Sequence, residues 1–304
     1  GGWSLEKIDL ENTCGEEDNW EASIDPRGGT PGSANAVTAS KPDVQGPTLT
    51  AVFVEDERKL IVSFNEKLAA ELPQITDFKI EPMVAIENIQ FASTDLRTLA
   101  LTLSEALEKN TAYQLTVINV FDCAGNGIAP EPNAGLFAIP DVPLAGDILI
   151  NEILFNPRPG GVDFVEVVNV SSKFVDLTKL LLCNVENDLP INQQMITATP
   201  VILKPGEYLA LTEDKSILKS DYNQTVEAYT REVKTLPALN DDKGTIAIIT
   251  TEGTFLDMFS YTKDLHSPFL ENDEGVSLER ISLGQPTQDA NNWKSASTHS
   301  NYAT

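Results

Sequence analysis

Basic residues are scarce in this chain: 21 Lys and Arg stand against 46 Asp and Glu among 304 residues, giving a net charge of -25. An acidic surface repels nucleic-acid phosphates and anionic lipid head groups, so no nucleic-acid partner is expected. Apolar stretches of the roughly 20 residues needed for a transmembrane helix are missing, so membrane insertion is not expected either. The first residues, Gly1 to Ser4, do not resemble a signal peptide. We expect the chain to be a fragment of a longer protein.

Histidine is also rare, with only His266 and His299. Nucleophilic catalysis usually needs a histidine base beside the nucleophile. Both histidines lie in polar segments, and we expect both at the surface. Motifs such as Gly-x-Ser-x-Gly, His-Glu-x-x-His or a phosphate-binding glycine loop are missing. We therefore predict that this chain is not an enzyme.

The three cysteines, Cys14, Cys123 and Cys183, lie in separate segments and match no metal-ligand spacing. A single disulfide would leave one thiol over, so the count does not fix the redox compartment. The simplest interpretation is that they are small, buried apolar residues.

The sequence does contain many short apolar runs separated by turn-forming segments. Seven such runs lie within 47–140 at the spacing, roughly 8 to 12 residues, of a β-sandwich. A second series begins with 147–157 and 163–169 and ends near 281. The pattern predicts an all-β chain of two tandem immunoglobulin-like β-sandwiches with an extra N-terminal β segment. The long connection 212–240 is expected to contain a short helical turn.

Several motifs in the second half occur in a characteristic order. They are Ile150-Asn-Glu-Ile-Leu-Phe-Asn-Pro157, Asp163-Phe-Val-Glu-Val-Val-Asn169, Val175-Asp-Leu177, Lys204-Pro-Gly-Glu-Tyr-Leu209, Leu239-Asn-Asp241, Gly275-Val-Ser-Leu-Glu-Arg280 and Asn292-Trp293. In this order they resemble a bacterial lamin-tail domain over about 142–304. Val168 and Lys179-Leu180 depart from the usual pattern. The resemblance implies an immunoglobulin-like sandwich used for binding or architecture, often on secreted bacterial proteins.

Residues 47–140 carry a second resemblance. Leu60-Ile-Val-Ser-Phe-Asn-Glu66 and the turn Asp122-Cys-Ala-Gly-Asn126 are similar to bacterial Ig-like repeats of surface-layer and other surface proteins. Residues 37–46 precede this region and have the composition of a linker, and 141–146 form a second linker to the lamin-tail-like region 147–304.

The N-terminal segment repeats the end of the chain. Gly2-Trp-Ser-Leu-Glu-Lys-Ile8 aligns without a gap on Gly275-Val-Ser-Leu-Glu-Arg-Ile281, which brings Asn19-Trp20 onto Asn292-Trp293. We therefore predict that residues 1–36 are the C-terminal remnant of a preceding lamin-tail-like domain. Their unpaired backbone and tryptophans would need cover, so edge-strand association is expected there.

Two glutamates interrupt apolar strand faces. By alternation, Glu152 shares a face with Ile150 and Leu154, and Glu166 lies among apolar neighbours in the next strand. A carboxylate in such a place needs a cation and hydrogen bonds, or a bulge that turns it outward. We predict that one or both form a structural ion pair with Arg280; solvation, a metal site or a paired-carboxylate hydrolase are the alternatives.

Calcium is the one metal for which the sequence offers possible ligands. Oxygen-rich turns occur at 122–126 and 240–242, but neither has the ligand spacing of an Asp-x-Asp-x-Asp-Gly loop. Such turns are common without an ion, so the prediction is no cofactor, with calcium as the lesser alternative.

Together these patterns predict a non-enzymatic binding, adhesion or scaffolding fragment of a larger secreted or cell-surface bacterial protein, located outside the cytoplasm. Its expected partners are other domains of the parent protein and a protein or glycan ligand. The alternative is a set of accessory domains belonging to an extracellular hydrolase or nuclease whose catalytic domain lies elsewhere.

Overall fold

The computed structural model describes residues 2–12, 14–15 and 17–297. The chain divides into two compact units, Gly1–Ile139 and Pro140–Thr304. In both, the regular structure of the described residues is almost entirely β-strand, which confirms the predicted fold class. None of the helices in the described part of the chain has the length and apolar character needed to span a bilayer.

The first unit contains an N-terminal hairpin and two larger sheets. The hairpin pairs β1 with β2, and the sheets have the strand orders β3-β4-β7-β6 and β5-β8-β9. The strands are β1 (Leu5–Lys7), β2 (Trp20–Ala22), β3 (Leu49–Asp56), β4 (Lys59–Phe64), β5 (Phe78–Glu81), β6 (Ile86–Phe91), β7 (Thr98–Leu103), β8 (Tyr113–Val117) and β9 (Ala134–Phe137); 3-10 helices span Glu17–Asn19 and Ile75–Asp77.

The two larger sheets of this unit enclose one apolar core. Alternate residues of each strand point into it, for example Leu60 and Val62 of β4, Leu101 of β7 and Leu115 of β8, all of which are buried. The period of two in the sequence therefore produces the inward-facing side of each sheet, as in other β-sandwiches.

Cys14 and Cys123 form a disulfide that connects the N-terminal segment to this sandwich across 109 residues of sequence. The interpretation of all three cysteines as buried apolar residues is therefore wrong for this pair. It holds for Cys183, which is a buried free thiol.

The second unit is a larger sandwich. Its sheets have the orders β17-β16-β11-β10-β20-β21, β14-β13-β18-β19 and β12-β15. The strands are β10 (Ile148–Leu154), β11 (Phe164–Asn169), β12 (Val175–Asp176), β13 (Leu180–Glu186), β14 (Leu189–Met195), β15 (Ile202–Leu203), β16 (Tyr208–Thr212), β17 (Thr230–Glu232), β18 (Lys243–Thr250), β19 (Phe255–Thr262), β20 (Leu278–Arg280) and β21 (Trp293–Ser295). Helix α1 (Lys215–Asp221) lies between β16 and β17, and 3-10 helices span Leu177–Lys179, Glu227–Tyr229, Lys263–Leu265 and Ala290–Asn292.

Helix α1 confirms the helical turn expected in the long connection. It starts where the Asp214 carboxylate accepts hydrogen bonds from the amides of Ser216 and Ile217, a standard N-cap. Its one buried residue, Leu218, packs with Phe164 and Tyr222 against the outer face of the six-stranded sheet. The helix therefore covers part of a sheet face that would otherwise be open to solvent.

A β-bulge in β10 determines which of its side chains point to each face of the six-stranded sheet. The pairing of β10 with β11 shifts between Ile150 and Glu152, so Asn151 is the extra residue. As a result Ile150 and Ile153 both lie in the main core, and Glu152 points to the outer face with Leu154. The expectation that Glu152 shares a face with Ile150 is wrong, because the bulge interrupts the alternation.

His266 does not lie at the surface as expected. It is buried beside the Phe155 ring, and its Nδ1 is 3.0 Å from the Ser295 hydroxyl. Burial lowers the pKa of His266. His299 lies outside the described residues.

Candidate functional site

Three glutamates form a row across the outer face of the six-stranded sheet. Glu152 of β10 is directly opposite Glu166 of β11 on one side and Glu279 of β20 on the other. Lys294 of β21 is opposite Glu279, and its Nζ is 2.9 Å from that carboxylate. Side chains directly opposite in antiparallel strands are close neighbours, so like charges there are unfavourable without compensation.

Glu152 occupies the middle of this row and is fully buried. Its Oε1 accepts a 2.6 Å hydrogen bond from the Ser277 hydroxyl. Glu166 is less enclosed, and its Oε1 accepts a 2.8 Å hydrogen bond from the Asn151 side-chain amide, the residue that the bulge adds. The bulge therefore supplies a hydrogen-bond partner for the acidic row.

Arg280 lies in a buried network under the opposite face. Its guanidinium forms a 3.1 Å ion pair with Asp257, donates to the Ile150 carbonyl at 2.8 Å and donates to the Thr287 hydroxyl. The Thr287 hydroxyl in turn donates to Asp257 at 2.6 Å. The guanidinium also lies 5.3 Å from the centre of the Trp293 ring.

Arg280 was expected to pair with a glutamate, whereas its carboxylate partner among the described residues is Asp257 of β19. Asp257 stands in Phe255-Leu-Asp-Met-Phe-Ser-Tyr261, where an acidic residue in an otherwise apolar strand was the available signal. Of the three predicted site residues, Glu152 and Glu166 lie next to each other on neighbouring strands, and Arg280 lies in a network of its own.

A pocket of about 120 Å³ opens beside Glu166. Its floor comes from the outer sheet face, including Phe164 and Glu166, and its walls come from the segment between β16 and β17. The lining is Phe164, Glu166, Tyr208, Ala210, Leu218, Tyr222, Gln224, Thr225, Val226, Tyr229 and Thr230. Three tyrosines and one glutamate thus meet at a pocket that the sequence patterns did not predict.

The tyrosines differ in their accessibility. Tyr208 and Tyr229 are exposed, and Tyr222 is buried, with its hydroxyl donating to the Gly275 carbonyl at 3.0 Å. Tyr222 therefore supports the pocket, and the other two rings can contact a ligand. Their scattered positions in the sequence gave no periodic signal.

Burial raises the pKa of Glu166 to about 7, with a further increase from the charge of Glu279 and an opposing effect of the Asn151 hydrogen bond. Its ordinary pKa is 4.5. Near neutral pH the pocket therefore presents a carboxyl group that both donates and accepts hydrogen bonds, in its protonated and ionised forms respectively.

The raised pKa predicts how Glu166→Gln changes the pH dependence of stability. A carboxyl whose folded-state pKa lies above its unfolded value stabilises the fold fully below the unfolded pKa, and that contribution is lost as pH rises through the folded pKa. As the pH rises from about 4 to about 8, the native second unit should therefore lose about 2 kcal/mol of unfolding free energy relative to the Glu166→Gln variant, because the glutamine amide does not titrate. Urea unfolding at both pH values measures this. Glu271→Gln, an exposed change, is the control, and an equal gain there would contradict the assignment.

A second acidic group lies in the first unit. Carboxylate oxygens of Asp43, Glu66 and Asp122 lie within 4.8 Å of one another. Burial, followed by the charges of Asp43 and Asp122, raises the pKa of Glu66 to about 7. Asp122 accepts hydrogen bonds from the amides of Ala124 and Asn126, as expected of its turn. Among the described residues these three could hold a hard cation such as calcium, whose preferred ligands are oxygens; the absence of a cofactor remains a prediction.

Comparison with known proteins bears mainly on the second unit. Residues 142–263 match the family model of the lamin tail domain, which confirms the resemblance drawn from the motifs. Comparison with characterised protein sequences gives no match.

Solved structures with similarity to this chain include three bacterial proteins. The N-terminal part of the S-layer protein SbsC has a TM-score of 0.28 and 12% identity over 71% of this chain and 43% of that chain. The Bacteroides ovatus protein SGBP-B, in complex with a mixed-linkage heptasaccharide, has a TM-score of 0.24 and 13% identity, over 72% of this chain and 43% of that chain. A DUF4876 family protein from Bacteroides thetaiotaomicron has a TM-score of 0.27 and 10% identity, over 71% of this chain and 89% of that chain. The chain spans less than half the length of the first two.

Proposed function

We propose that this chain is a non-enzymatic binding and scaffolding part of a bacterial protein that works outside the cytoplasm, and that the Glu166 pocket binds a neutral or amino sugar of a glycan. The observation that carries the proposal is the meeting of exposed Tyr208 and Tyr229 with the partly enclosed Glu166 carboxyl. Ligand sites are typically concave, with aromatic walls and a few placed polar groups.

Each part of the pocket matches a part of a sugar. Tyrosine presents an apolar ring face and a polar hydroxyl, so it suits a group that has both C-H and O-H surfaces. The Glu166 carboxyl and the Gln224 amide can bond to sugar hydroxyls. The volume of about 120 Å³ favours one sugar unit at the end of a glycan. A net charge of -25 opposes the approach of anionic sugars.

The arrangement of the two glutamates favours binding over glycoside hydrolysis. A hydrolase of the usual kind needs two carboxyl groups that both reach the glycosidic bond. Glu152 is fully buried and bonded to Ser277, so only Glu166 faces the pocket. The role of accessory domains to a hydrolase or nuclease remains the alternative, and the parent sequence would decide it.

The disulfide Cys14–Cys123 supports a location outside the cytoplasm. Structural disulfides form and persist in oxidising compartments and are rare in the cytosol of most bacteria.

The test is binding of the full chain to an array of bacterial and plant glycans, followed by calorimetry with the strongest binder. Tyr229→Ala should weaken the affinity by about tenfold or more, a loss of about 1.4 kcal/mol, because the ring supplies contact area. Since Tyr229 is about half exposed, its removal should leave the unfolding temperature nearly unchanged.

Phe269→Ala is the matched control, because Phe269 is an exposed aromatic of the same unit that does not line the pocket. It should leave the affinity unchanged. Binding that survives Tyr229→Ala would reject this pocket as the site, and the lack of any glycan binder would reject the glycan as the ligand.

A further inference from the structure

The N-terminal hairpin has the same backbone hydrogen bonds as the hairpin that closes the second unit. The Ile8 amide donates to the Asn19 carbonyl at 2.9 Å, and the Ile281 amide donates to the Asn292 carbonyl at 2.7 Å. β1 and β2 pair in the register in which β20 and β21 pair. The sequence repeat is therefore also a repeat of structure.

The asparagine side chains repeat as well. Asn19 accepts from the Asp9 amide and donates to the Asp9 carbonyl, both at 2.9 Å. Asn292 accepts from the Ser282 amide at 2.9 Å and donates to the Ser282 carbonyl at 3.0 Å. Each hairpin is thus held by its own loop and has a defined shape.

The two hairpins differ in what covers them. In the second, Leu278 is fully buried and Trp293 is 5% exposed, because both belong to the main core of that unit. In the first, the equivalent Leu5 is 70% exposed and Trp20 is 48% exposed. A side that is core in one copy is open surface in the other.

On the other side of this hairpin one polar residue of β1 is covered instead, while its neighbour Glu21 in β2 is exposed. Glu6 is buried, and its carboxylate accepts hydrogen bonds from the Thr30 hydroxyl and the Ala36 amide, both at 2.7 Å. A globular protein normally buries apolar and exposes polar side chains. This reversal, with Trp3, Leu5 and Trp20 together in solvent, marks an interaction surface.

The second hairpin shows what kind of partner fits. Its strand β20 pairs with β10, with Ile153 opposite Leu278. The Ser277 hydroxyl donates to the buried Glu152, and the Trp293 ring stacks on Phe259 at 3.8 Å. The cover is therefore the edge strand of a lamin-tail sandwich, together with an aromatic residue of its facing sheet.

The N-terminal hairpin keeps the groups that make these contacts. Ser4 is equivalent to Ser277, Leu5 to Leu278, Lys7 to Arg280 and Trp20 to Trp293. A partner of the same kind would offer an apolar strand residue to Leu5, a carboxylate to Ser4 and an aromatic ring to Trp20.

A groove beside β1 leaves room for such a strand. It has a volume of about 530 Å³ and is lined by Ser4, Leu5 and Glu6 on one side and by 27–31 and Asn35 on the other. The Asn35 side-chain amide donates to the Lys7 carbonyl at 2.9 Å and closes the far end of the edge. The Ser4 amide already donates to the Gly28 carbonyl and the Ser4 carbonyl accepts from the Ser23 amide, both at 2.8 Å. Backbone pairing with an added strand is therefore directed to Leu5.

We propose that this hairpin closes the body of a second lamin-tail-like sandwich, which lies upstream in the parent polypeptide and presents an edge strand of the β10 type. In the second unit the closing hairpin comes last, after β10 to β19 have formed the body. The same order places the body of the first copy ahead of Gly2. The Cys14–Cys123 disulfide then ties that body's last hairpin to the Ig-like sandwich.

The test uses the full chain and a fluorescently labelled peptide with the sequence of residues 147–157. The peptide should bind saturably with a Kd below about 1 mM, and binding should shift the emission of the exposed Trp20 to shorter wavelength. Leu5→Asp should weaken binding at least about tenfold. Leu5 is exposed, so its replacement should not unfold the unit.

Two controls fix the position and the register. Leu189→Asp in the chain, an exposed change in β14, should leave binding unchanged. Ile153→Asp in the peptide, at the residue that faces Leu278 in β20, should abolish binding. Undetectable binding at about 1 mM, or equal binding to the Leu5→Asp chain, would overturn the proposal. Dimerisation of the peptide-free chain that Leu5→Asp prevents would also overturn it, because a second copy would then be the partner.

Discussion

Asp257→Ala is expected to destabilise the second unit by about 3–5 kcal/mol, the range found when one member of a buried ion pair is removed. The guanidinium of Arg280 is fully enclosed and its carboxylate partner is Asp257. Without that carboxylate a positive charge remains buried, bonded only to neutral acceptors such as the Ile150 carbonyl. Urea unfolding of the full chain measures the loss.

A surface ion pair provides the control for this prediction. Lys204 and Glu207 pair at 3.5 Å in a turn of the same unit, where the Lys204 side chain is exposed. Lys204→Ala should cost less than about 1 kcal/mol, because water already solvates both charges. Similar losses in Lys204→Ala and Asp257→Ala would show that burial of Arg280 has no special energetic effect.

Removal of the disulfide should have a comparably large effect on the first unit. Cys14→Ser with Cys123→Ser opens a loop of 109 residues, and disulfides that close loops of this size typically stabilise a domain by about 2–5 kcal/mol. The expected result is a lower unfolding midpoint of the first unit. Reduction of the native chain with a thiol should produce the same shift.

The second unit contains only the buried thiol Cys183 and serves as an internal control. Its unfolding midpoint should be the same in the native chain, the reduced chain and the double variant. An unchanged midpoint of the first unit after complete reduction would contradict a stabilising role of the disulfide.

Local patterns in the sequence predict the strands well. The apolar runs at 147–157 and 163–169 contain β10 and β11 because alternating burial acts on neighbouring residues. The helical turn near 215–219 is also predictable, since Asp214 provides a local N-cap. Such features depend on a few adjacent residues, and no distant contact is needed to specify them.

Features that depend on distant residues escape sequence analysis. The bulge at Asn151 moves Glu152 to the other face, and a one-residue insertion cannot be seen in the apolar pattern. The partnership of Arg280 with Asp257 and the bond between Cys14 and Cys123 join separate segments. The pocket likewise joins Glu166 to Tyr222 and Tyr229 of the long connection, so the sequence pattern alone does not predict it.

One strand pair in the second unit departs from the antiparallel pattern: β16 and β17 run parallel. Parallel neighbours cannot be joined by a tight turn, so the connection has to run back from the end of β16 to the level at which β16 began before β17 can start. The residues of this connection also form the pocket wall. Geometry thus imposes a minimum length on the wall. Its buried side chains, such as Leu218 and Tyr222, are held by packing on the sheet, whereas exposed positions such as Tyr229 could change without any change to the sandwich beneath.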